Sequence, residues 1–437
     1  MKKIINSIAV VVTVLVGVST KAQSLEEFIN TALEKNYQIS ILKNEVQIAI
    51  NNNTLGNAGQ LPSITLGGAA QQASNNVLQE FTDGTSRQGS NAKTTSVNLS
   101  AMVDWSVFDG FRVYAKRDQL AYLEQLGKVN SKFYIEQTVA DIAEVYYQLV
   151  FENQLLESYR HSFEISSFRW NFEKKRKEIG VGKGMRYQQA LVDYQTDSIR
   201  ILTQLNTIKL LEIEINRVLN EALERELVIQ EKSFLPLPVI AKDSLFEKAK
   251  NNNQQLQQQR LEELIAETNL RIEKADRYPK IGLFAGYQYV KTTAAVGFFK
   301  GSRTTGPVVG VNVSFNLYNG RNETREIKNA EFYEENSKLN KEQVVLNINA
   351  DLLKMIYQYE SVQQRIELAQ SNMEAAKKVS LIAEEQLKQG AINGYDFRMT
   401  QQTLLDAQNA LSQLQFSLKT LEIGINRLTG AVLEAYL

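Results

Sequence analysis

Few side chains in this sequence could carry out chemistry, and their spacing favours structural roles. The 437 residues include no cysteine and one histidine, which excludes thiol nucleophiles, disulfides, zinc fingers and cysteine-ligated clusters. His161 stands between Arg160 and Ser162 in a helical stretch, without convergent partners for a metal or a catalytic triad. We therefore assign His161 to the surface or to packing, and we predict no metal site.

A glycine-rich run is the other candidate for chemistry. It consists of Gly180, Val181, Gly182, Lys183 and Gly184, and it lacks the spacing and the Ser/Thr of a phosphate-binding loop. Carboxylates are plentiful, but they alternate with Lys and Arg on predicted helix surfaces, which is typical of a solvated face. No G-x-S-x-G motif is present. We predict a protein that is not an enzyme and that uses no cofactor.

The overall composition indicates a folded chain with long helices. Lys and Arg number 49, and Asp and Glu also number 49, so no strong electrostatic attraction to nucleic acid is expected. Hydrophobic residues make up 43%, which suits a folded chain. Five prolines and 23 glycines leave room for very long helices.

The N-terminus has the pattern of a secretory signal peptide. A basic start, Lys2 and Lys3, precedes an apolar stretch that is too short for a membrane span, and Thr20 and Ala22 suit a cleavage site. Cleavage of residues 1–22 would remove three lysines and give the mature chain a net charge of −3. No later segment is long and apolar enough for a transmembrane helix. The mature chain is therefore expected in the periplasm, outside the cell, or in an outer membrane as a barrel.

The chain contains the same unit twice. Residues 209–217 (KLLEIEINR) recur as residues 419–427 (KTLEIGINR), with seven of nine positions identical at an offset of 210. The same offset relates Gly110 to Gly320 and Gly180 to Gly390. Upstream the offset is 217, so one half carries a seven-residue insertion between its strands.

Each half is predicted to contain a helix, two strands and a helical hairpin. The first repeat covers residues 23–220, with strands near 61–78 and 94–108 and a hairpin tip near 180–184. Residues 221–243, which include Leu235-Pro236-Leu237-Pro238, form a connector. The second repeat covers residues 244–437, with strands near 279–291 and 306–318 and a tip near 390–394.

The long helices carry a coiled-coil pattern. From Phe111 to about Ile179 there is no proline and one glycine, enough for a helix of ~100 Å. Apolar residues in the second half follow alternating steps of three and four from Val345 to Leu387, and again from Leu404 to Leu428. Helices of this length need a helical partner, so each hairpin is expected to pack its two arms together.

The second strand of each half alternates apolar and small polar residues. This pattern over 9–12 residues is typical of a tilted membrane strand with lipid on one side and water on the other, although a soluble sandwich with one wet face would also produce it. The predicted membrane-facing residues are Val97, Leu99, Val103, Trp105, Val309, Val311, Val313 and Phe315. A predicted interfacial girdle comprises Trp105, Phe108, Phe111, Phe315 and Tyr318.

Four strands per chain cannot close a barrel, and open edges are not tolerated in lipid. We therefore expect several chains to share one barrel. Polar loops between the paired strands suit the outer surface, and the second loop includes the aromatic residues Phe298 and Phe299, to which we assign no role.

These features together resemble the TolC-like outer-membrane efflux protein family of Gram-negative bacteria. Local marks of the resemblance stand in duplicate: residues 32–36 and 249–253, residues 61–64 and 278–281, and residues 108–110 and 318–320. The resemblance implies a mainly α protein with membrane β-strands, a homotrimer with a 12-stranded β-barrel continuous with an α-helical barrel, and a location in the outer membrane and periplasm. It also implies an exit duct that docks onto a periplasmic adaptor and an inner-membrane pump, for efflux or type I secretion.

The resemblance further implies that the hairpin tips meet the adaptor and narrow the tunnel. The tip residues here are Gly180, Val181, Gly182, Lys183, Gly184, Gly390, Ala391, Ile392, Asn393 and Gly394. Asp396 matches a position that is often acidic in the family, whereas the matching position of the first half is Arg186. We hypothesise that Asp396 and Arg186 face one another at the constriction; the alternative is that both are ordinary solvated charges.

Two other interpretations stay open at the level of sequence. A periplasmic coiled-coil adaptor or structural protein would share the long hairpins, but not four membrane-type strands. Within the exit-duct interpretation the cargo, small molecule or protein, is undetermined.

Overall fold

The computed structural model describes residues 23–181, 184–231, 233–234, 242–297 and 299–437. The predicted signal peptide, the Leu235–Pro238 part of the connector, Gly182, Lys183 and Phe298 lie outside these residues. The helices are α1 (Leu25–Lys35), α2 (Tyr37–Asn52), α3 (Leu55–Ala58), α4 (Arg112–Glu178), α5 (Gly184–Leu219), α6 (Lys242–Asn252), α7 (Gln254–Lys274), α8 (Asn322–Lys388), α9 (Gly394–Thr429) and α10 (Val432–Tyr436). The strands are β1 (Ser63–Glu80), β2 (Ser86–Phe108), β3 (Lys280–Ala294) and β4 (Gly301–Ser314).

The two halves repeat the same helix lengths and turns. Helices α4 and α8 each have 67 residues, and α5 and α9 each have 36. Gly110 and Gly320, each just before a long helix, have φ of 73° and 70°, and Gly180 and Gly390, each just after it, have 76° and 73°. Only glycine adopts this left-handed backbone without strain, which explains why the repeat keeps glycine at these turns.

The coiled-coil pattern of the second hairpin is confirmed. From Ile348 to Leu387 every predicted seam position of α8 is buried or half-buried, as is every predicted position of α9, whereas Val345 at the start of the pattern is exposed. The two helices approach closely where Met355 lies against Gly424, because a Cβ on that glycine would fall 2.9 Å from the Met355 sulfur.

The chain forms two compact units. The helical unit comprises the described residues of 1–37, 136–245 and 352–437. In its core the rings of Phe28 from α1 and Tyr146 from α4 meet edge to face at 5.5 Å. The rings of Phe151 from α4 and Phe416 from α9 stack at 5.3 Å. The first hairpin therefore packs on both α1 and the second hairpin.

The strand unit comprises residues 38–135 and 246–351, of which Phe298 is not described. It contains one antiparallel sheet in the order β1-β2-β3-β4. Helix α7 packs on the first part of α8 through Leu270, Ile327 and Ala330. The turn between β2 and α4 is tight, because a Cβ on Gly110 would overlap the Ala275 carbonyl.

Two strand boundaries differ from prediction. Strand β2 begins at Ser86 and not near residue 94, because Ser86 to Lys93 form a ladder with β1 although their sequence is polar and does not alternate. Strand β4 runs from Gly301 to Ser314 and not from 306 to 318. Its last residue pairs with Lys280, the first residue of β3, so no partner remains for Phe315.

Candidate functional site

One face of the four-stranded sheet is apolar across all its strands. Residues directly opposite each other in neighbouring strands share a face, so the register defines rows of side chains. One row joins Ile64, Val103, Ala285 and Val309. The full set on this face includes Ile64, Leu66, Val97, Leu99, Ala101, Val103, Trp105, Leu283, Ala285, Tyr287, Val309, Val311 and Val313. Most of these large side chains are exposed.

The side chains on the opposite face are mostly smaller and more polar. Its rows include Ser100 with Gln288, and Asn98 with Val290. Two larger side chains fill the space above glycines: a Cβ on Gly310 would overlap the Phe284 ring, and one on Gly286 would overlap the Met102 sulfur. The sheet therefore has one apolar face and one more polar face that can contact water.

The predicted membrane-facing residues lie on the apolar face with one correction. Val97, Leu99, Val103, Trp105, Val309, Val311 and Val313 occupy that face. Phe315 is exposed, but it follows the end of β4 and is not a strand residue.

Aromatic side chains cluster where β2 meets α4, as the girdle prediction expects for that half. Phe108, Phe111 and Tyr278 form mutual edge contacts, with ring centres 5.3–6.5 Å apart. The Trp105 indole Nε1 donates a hydrogen bond to the Gln60 carbonyl at 3.0 Å. Tyr318, like Phe315, lies beyond β4 and is exposed. The role of the girdle stays a prediction.

The other end of the sheet carries the loop between β3 and β4. The Arg87 guanidinium donates to the Gly297 carbonyl at 2.8 Å, which links this loop to the β1–β2 hairpin. Phe299 is exposed.

The hairpin tips are built by conventional helix caps. After α4, the amide of Val181 donates to the Arg176 carbonyl at 3.0 Å, and after α8 the amide of Ala391 donates to the Gln386 carbonyl at 2.8 Å. Asn393 caps α9, because its side-chain oxygen accepts from the amides at 395 and 396. The predicted tip residues Gly180, Val181, Gly184, Gly390, Ala391, Ile392, Asn393 and Gly394 all lie in or next to these turns.

Asp396 and Arg186 are both exposed at the tips of the helical unit. Neither forms an ion pair with another residue that the structure describes. Within one chain both side chains are therefore available to other charges, and their role at a constriction stays a prediction.

A buried charge network, which the sequence analysis missed, joins the two hairpins a few turns from the tips. Asp197 of α5 is 1% exposed and receives both guanidinium nitrogens of Arg398 from α9, at 2.7 and 2.9 Å. Ser162 of α4 donates to the same carboxylate at 3.1 Å. Burial works against the charge of Arg398, but the hydrogen bonds and charge of Asp197 outweigh it and raise the pKa of Arg398.

A second ion pair extends this network. Arg169 of α4 contacts Asp193 of α5 at 3.1 Å and also lies against Gly394, the first residue of α9. Burial lowers the pKa of Arg169, and the neighbouring Asp193 opposes that shift.

One sequence signal could have revealed this network. Ala190, Asp197 and Gln204 are all buried and stand seven residues apart, so a carboxylate occupies a seam position of α5. The corresponding residue of the second half, Ala407, is apolar.

The described residues offer neither a cluster of metal ligands nor a helix that could span a membrane. No group of three or more His, Asp or Glu side chains there could hold a metal ion. None of the described helices combines the length and apolar character that crossing a bilayer requires.

The combination of this sheet with two long helical hairpins defines the fold of outer-membrane channels. The solved structure of CusC has a TM-score of 0.76 at 15% identity, covering 93% of this chain and 92% of that chain. VceC from Vibrio cholerae gives 0.75 at 16% identity, with 93% and 96% covered. CmeC from Campylobacter jejuni gives 0.77 at 10% identity, with 93% and 85% covered. At such identities the likeness establishes the fold.

The family resemblance predicted from the sequence is confirmed. Residues 245–431, the second half of the chain, match the family model described as outer membrane efflux protein. The predicted location, an outer membrane with a helical tunnel in the periplasm, agrees with this match and with the fold. No curated protein matches the chain.

Proposed function

We propose that this protein is a passive outer-membrane exit duct, serving a tripartite efflux pump or a type I secretion system. The observation that carries the proposal is the register of the sheet, which gives four adjacent strands one continuous apolar face. A membrane barrel requires such a face toward lipid, with a polar face toward its lumen. The duct would conduct without catalysis and would leave cargo selection to its partners.

Closure of the barrel requires further copies of the chain. Strands β1 and β4 each pair on one side only among the described residues, and unsatisfied strand edges are not tolerated in a bilayer. Three copies would supply twelve strands, an even number within the range of bacterial outer-membrane barrels. The exposed apolar residues of α8, among them Leu346, Leu353 and Leu368, would find partners in such a trimer.

The tips are the proposed docking points for a periplasmic adaptor, which would connect the duct to an inner-membrane pump. They are also the proposed constriction, where Asp396 and Arg186 of three copies would meet. Conductance of Asp396→Ala and Arg186→Ala trimers in planar bilayers tests this gate. An increase in open-state conductance is expected, and closure like that of the unmodified protein in both variants would contradict it.

The alternative, a periplasmic adaptor or structural protein, has weaker support. It accounts for the helical hairpins but leaves a sheet with an exposed apolar face and two open edges in water, where such edges promote aggregation.

Membrane partitioning and mass of the mature protein distinguish the two functions. Outer membranes are washed with salt and alkali, extracted with detergent, and the particle mass is measured by light scattering corrected for detergent. An exit duct gives a detergent-dependent particle of three chains. A water-soluble monomer or dimer would exclude the shared barrel and favour the adaptor.

A further inference from the structure

Two cationic side chains stand side by side on the apolar face of the sheet. Lys291 of β3 is directly opposite Arg303 of β4, in the row that also contains Ala70 of β1 and Val97 of β2. Both cationic side chains are exposed. Lys93 lies on the same face of β2, nearer the hairpin loops, and is also exposed. Of the other strand cations, Lys280 lies on the polar face at the opposite end of the sheet, and Arg87 stands opposite Gln79 of β1 beside the hairpin loops.

Lys291 and Arg303 have no counter-charge in the described chain. Neither forms an ion pair there, and the four strands contain two acidic residues, Glu80 and Asp104. Asp104 pairs with Phe284, which places its carboxylate on the other face. Glu80 pairs with Ser86 at the loop end of β1, ten residues beyond Ala70, which is the β1 residue in the row of Lys291 and Arg303. Like charges directly opposite on adjacent strands are destabilising, so this arrangement favours an anion from outside the chain.

A neighbouring copy would not supply the missing anion. If β4 pairs with β1 of another copy to close a barrel, the added strand is uncharged from Ser63 to Gln79. The neighbouring strand would therefore place no carboxylate beside the two cations.

Along β3, Lys291 lies at the end of the series of apolar and tyrosine side chains on this face, where an apolar band facing lipid would end. Below it on the same face lie Tyr289, Tyr287, Ala285, Leu283 and Ile281, in that order along β3. Ten residues separate Ile281 from Lys291, which corresponds to ~33 Å along a strand. With a tilt of about 40° this is roughly 25 Å of membrane thickness, the height of the apolar band of an outer-membrane barrel. Two tyrosines precede the cations, as is typical of the boundary between acyl chains and head groups.

We propose that Lys291 and Arg303 bind the phosphate group of an anionic lipid in the outer leaflet, with Lys93 as an additional contact. The inference rests on the proposed outer-membrane barrel, in which the hairpin loops face outward. A guanidinium and an ammonium are the side-chain groups that pair best with phosphate. Their long alkyl stems can lie along the apolar surface while the charges reach the head groups. The lipid would anchor the barrel at a fixed depth.

Binding of a phosphorylated lipid by the purified trimer tests the proposal. The probes are diphosphorylated lipid A, the same lipid after removal of its phosphates, and inorganic phosphate, with bound lipid counted by native mass spectrometry. In the double variant Lys291→Gln, Arg303→Gln the dissociation constant for diphosphorylated lipid A is expected to rise roughly 10- to 30-fold. Lys300→Gln, which removes an exposed cation of the adjacent loop, is the matched control and should change it less than about twofold.

A charge-preserving variant distinguishes the loss of a binding site from misfolding of the protein. The exchange Lys291→Arg with Arg303→Lys keeps both charges and is expected to keep the affinity within about threefold. Unchanged affinity in the double glutamine variant, or equal binding of the dephosphorylated lipid, would overturn the proposal. Displacement of the lipid by equimolar inorganic phosphate would indicate a free-phosphate site and would also overturn it.

Failure of the proposed function would look different. If the membrane-extracted protein is a trimer but binds phosphorylated and dephosphorylated lipid A equally, only the lipid site is contradicted. A protein that is soluble without detergent contradicts the barrel and the lipid site together.

Discussion

The two helical hairpins have equal lengths but different surroundings. At equivalent positions of α4 and α8, Tyr147 is half-buried under Lys419, whereas Tyr357 is 59% exposed. Ala143 is fully buried, and its counterpart Leu353 is 40% exposed. Duplication thus preserved the backbone and its turns while the side chains diverged. This part of α4 packs within the chain, whereas the equivalent part of α8 retains apolar surface that another copy can cover.

The largest effect is expected from the buried ion pair between Asp197 of the first hairpin and Arg398 of α9. The second hairpin has no such carboxylate, because Ala407 occupies the equivalent position. Replacing Asp197 with Ala removes the short ion pair of the buried Arg398 and leaves it the longer one with Asp193, at 3.7 Å, which should reduce the free energy of unfolding by about 3–5 kcal/mol. Urea unfolding of the detergent-solubilised protein measures this loss. Asp406→Ala, which removes an exposed carboxylate of α9, is the control and should cost less than about 0.5 kcal/mol. Equal losses in the two variants would refute the buried network.

A smaller loss is expected for a leucine in the seam of the second hairpin. Leu352 is fully buried, so Leu352→Ala should cost about 3 kcal/mol through lost burial and the cavity left behind. Its neighbour Leu353 is partly exposed, and Leu353→Ala should cost under about 1 kcal/mol in the isolated chain. The same unfolding experiment compares them, and a reversed order would mean that α8 presents a different face.

Exchange of one residue between the hairpins tests the exposed surface of α8. Leu368 is 73% exposed, and the equivalent residue of α4 is Ser158. If another copy covers Leu368, then Leu368→Ser should weaken trimer assembly by about 1–2 kcal/mol per chain, as seen by sedimentation in detergent. The conservative change Ser158→Ala serves as the control. A trimer population unaffected by Leu368→Ser would leave that surface facing solvent.

The smallest effect concerns alkaline pH. Burial raises the pKa of Tyr147, and the positive charge of Lys419 only partly opposes this. The unfolded chain therefore ionises first, so the contribution of Tyr147 to stability is complete below about pH 10 and declines as the pH rises further. Unfolding between pH 9 and pH 12 should show a smaller decline for Tyr147→Phe than for the unmodified protein. Tyr357→Phe should follow the unmodified protein, and a matching decline in all three would remove Tyr147 as the cause.

Several features of the fold were accessible from local sequence. The duplicated glycines located the turns, because positive φ is costly for other residues, and the absence of proline allowed helices of 67 residues. Alternation located the central parts of β2 and β4, where each side chain has a defined face. It could not locate Ser86 as the start of β2, because that part of the strand is held by its ladder with β1.

The candidate sites were only partly predictable. Seven of the predicted strand residues lie on one apolar face, since a two-residue period determines their side. The Asp197–Arg398 pair was missed, because residues 201 positions apart in sequence become partners only when α5 and α9 pack together.

The sequence by itself determined the repeat, the turns and the alternation of the strands, all of which depend on the chemistry of neighbouring residues. The tertiary structure alone decided which strands pair, where their ladders end and which charges are buried. These outcomes depend on the register and packing of segments that are distant in sequence. The cations Lys291 and Arg303 illustrate the difference: the sequence names both, but only the register of β3 and β4 places them side by side.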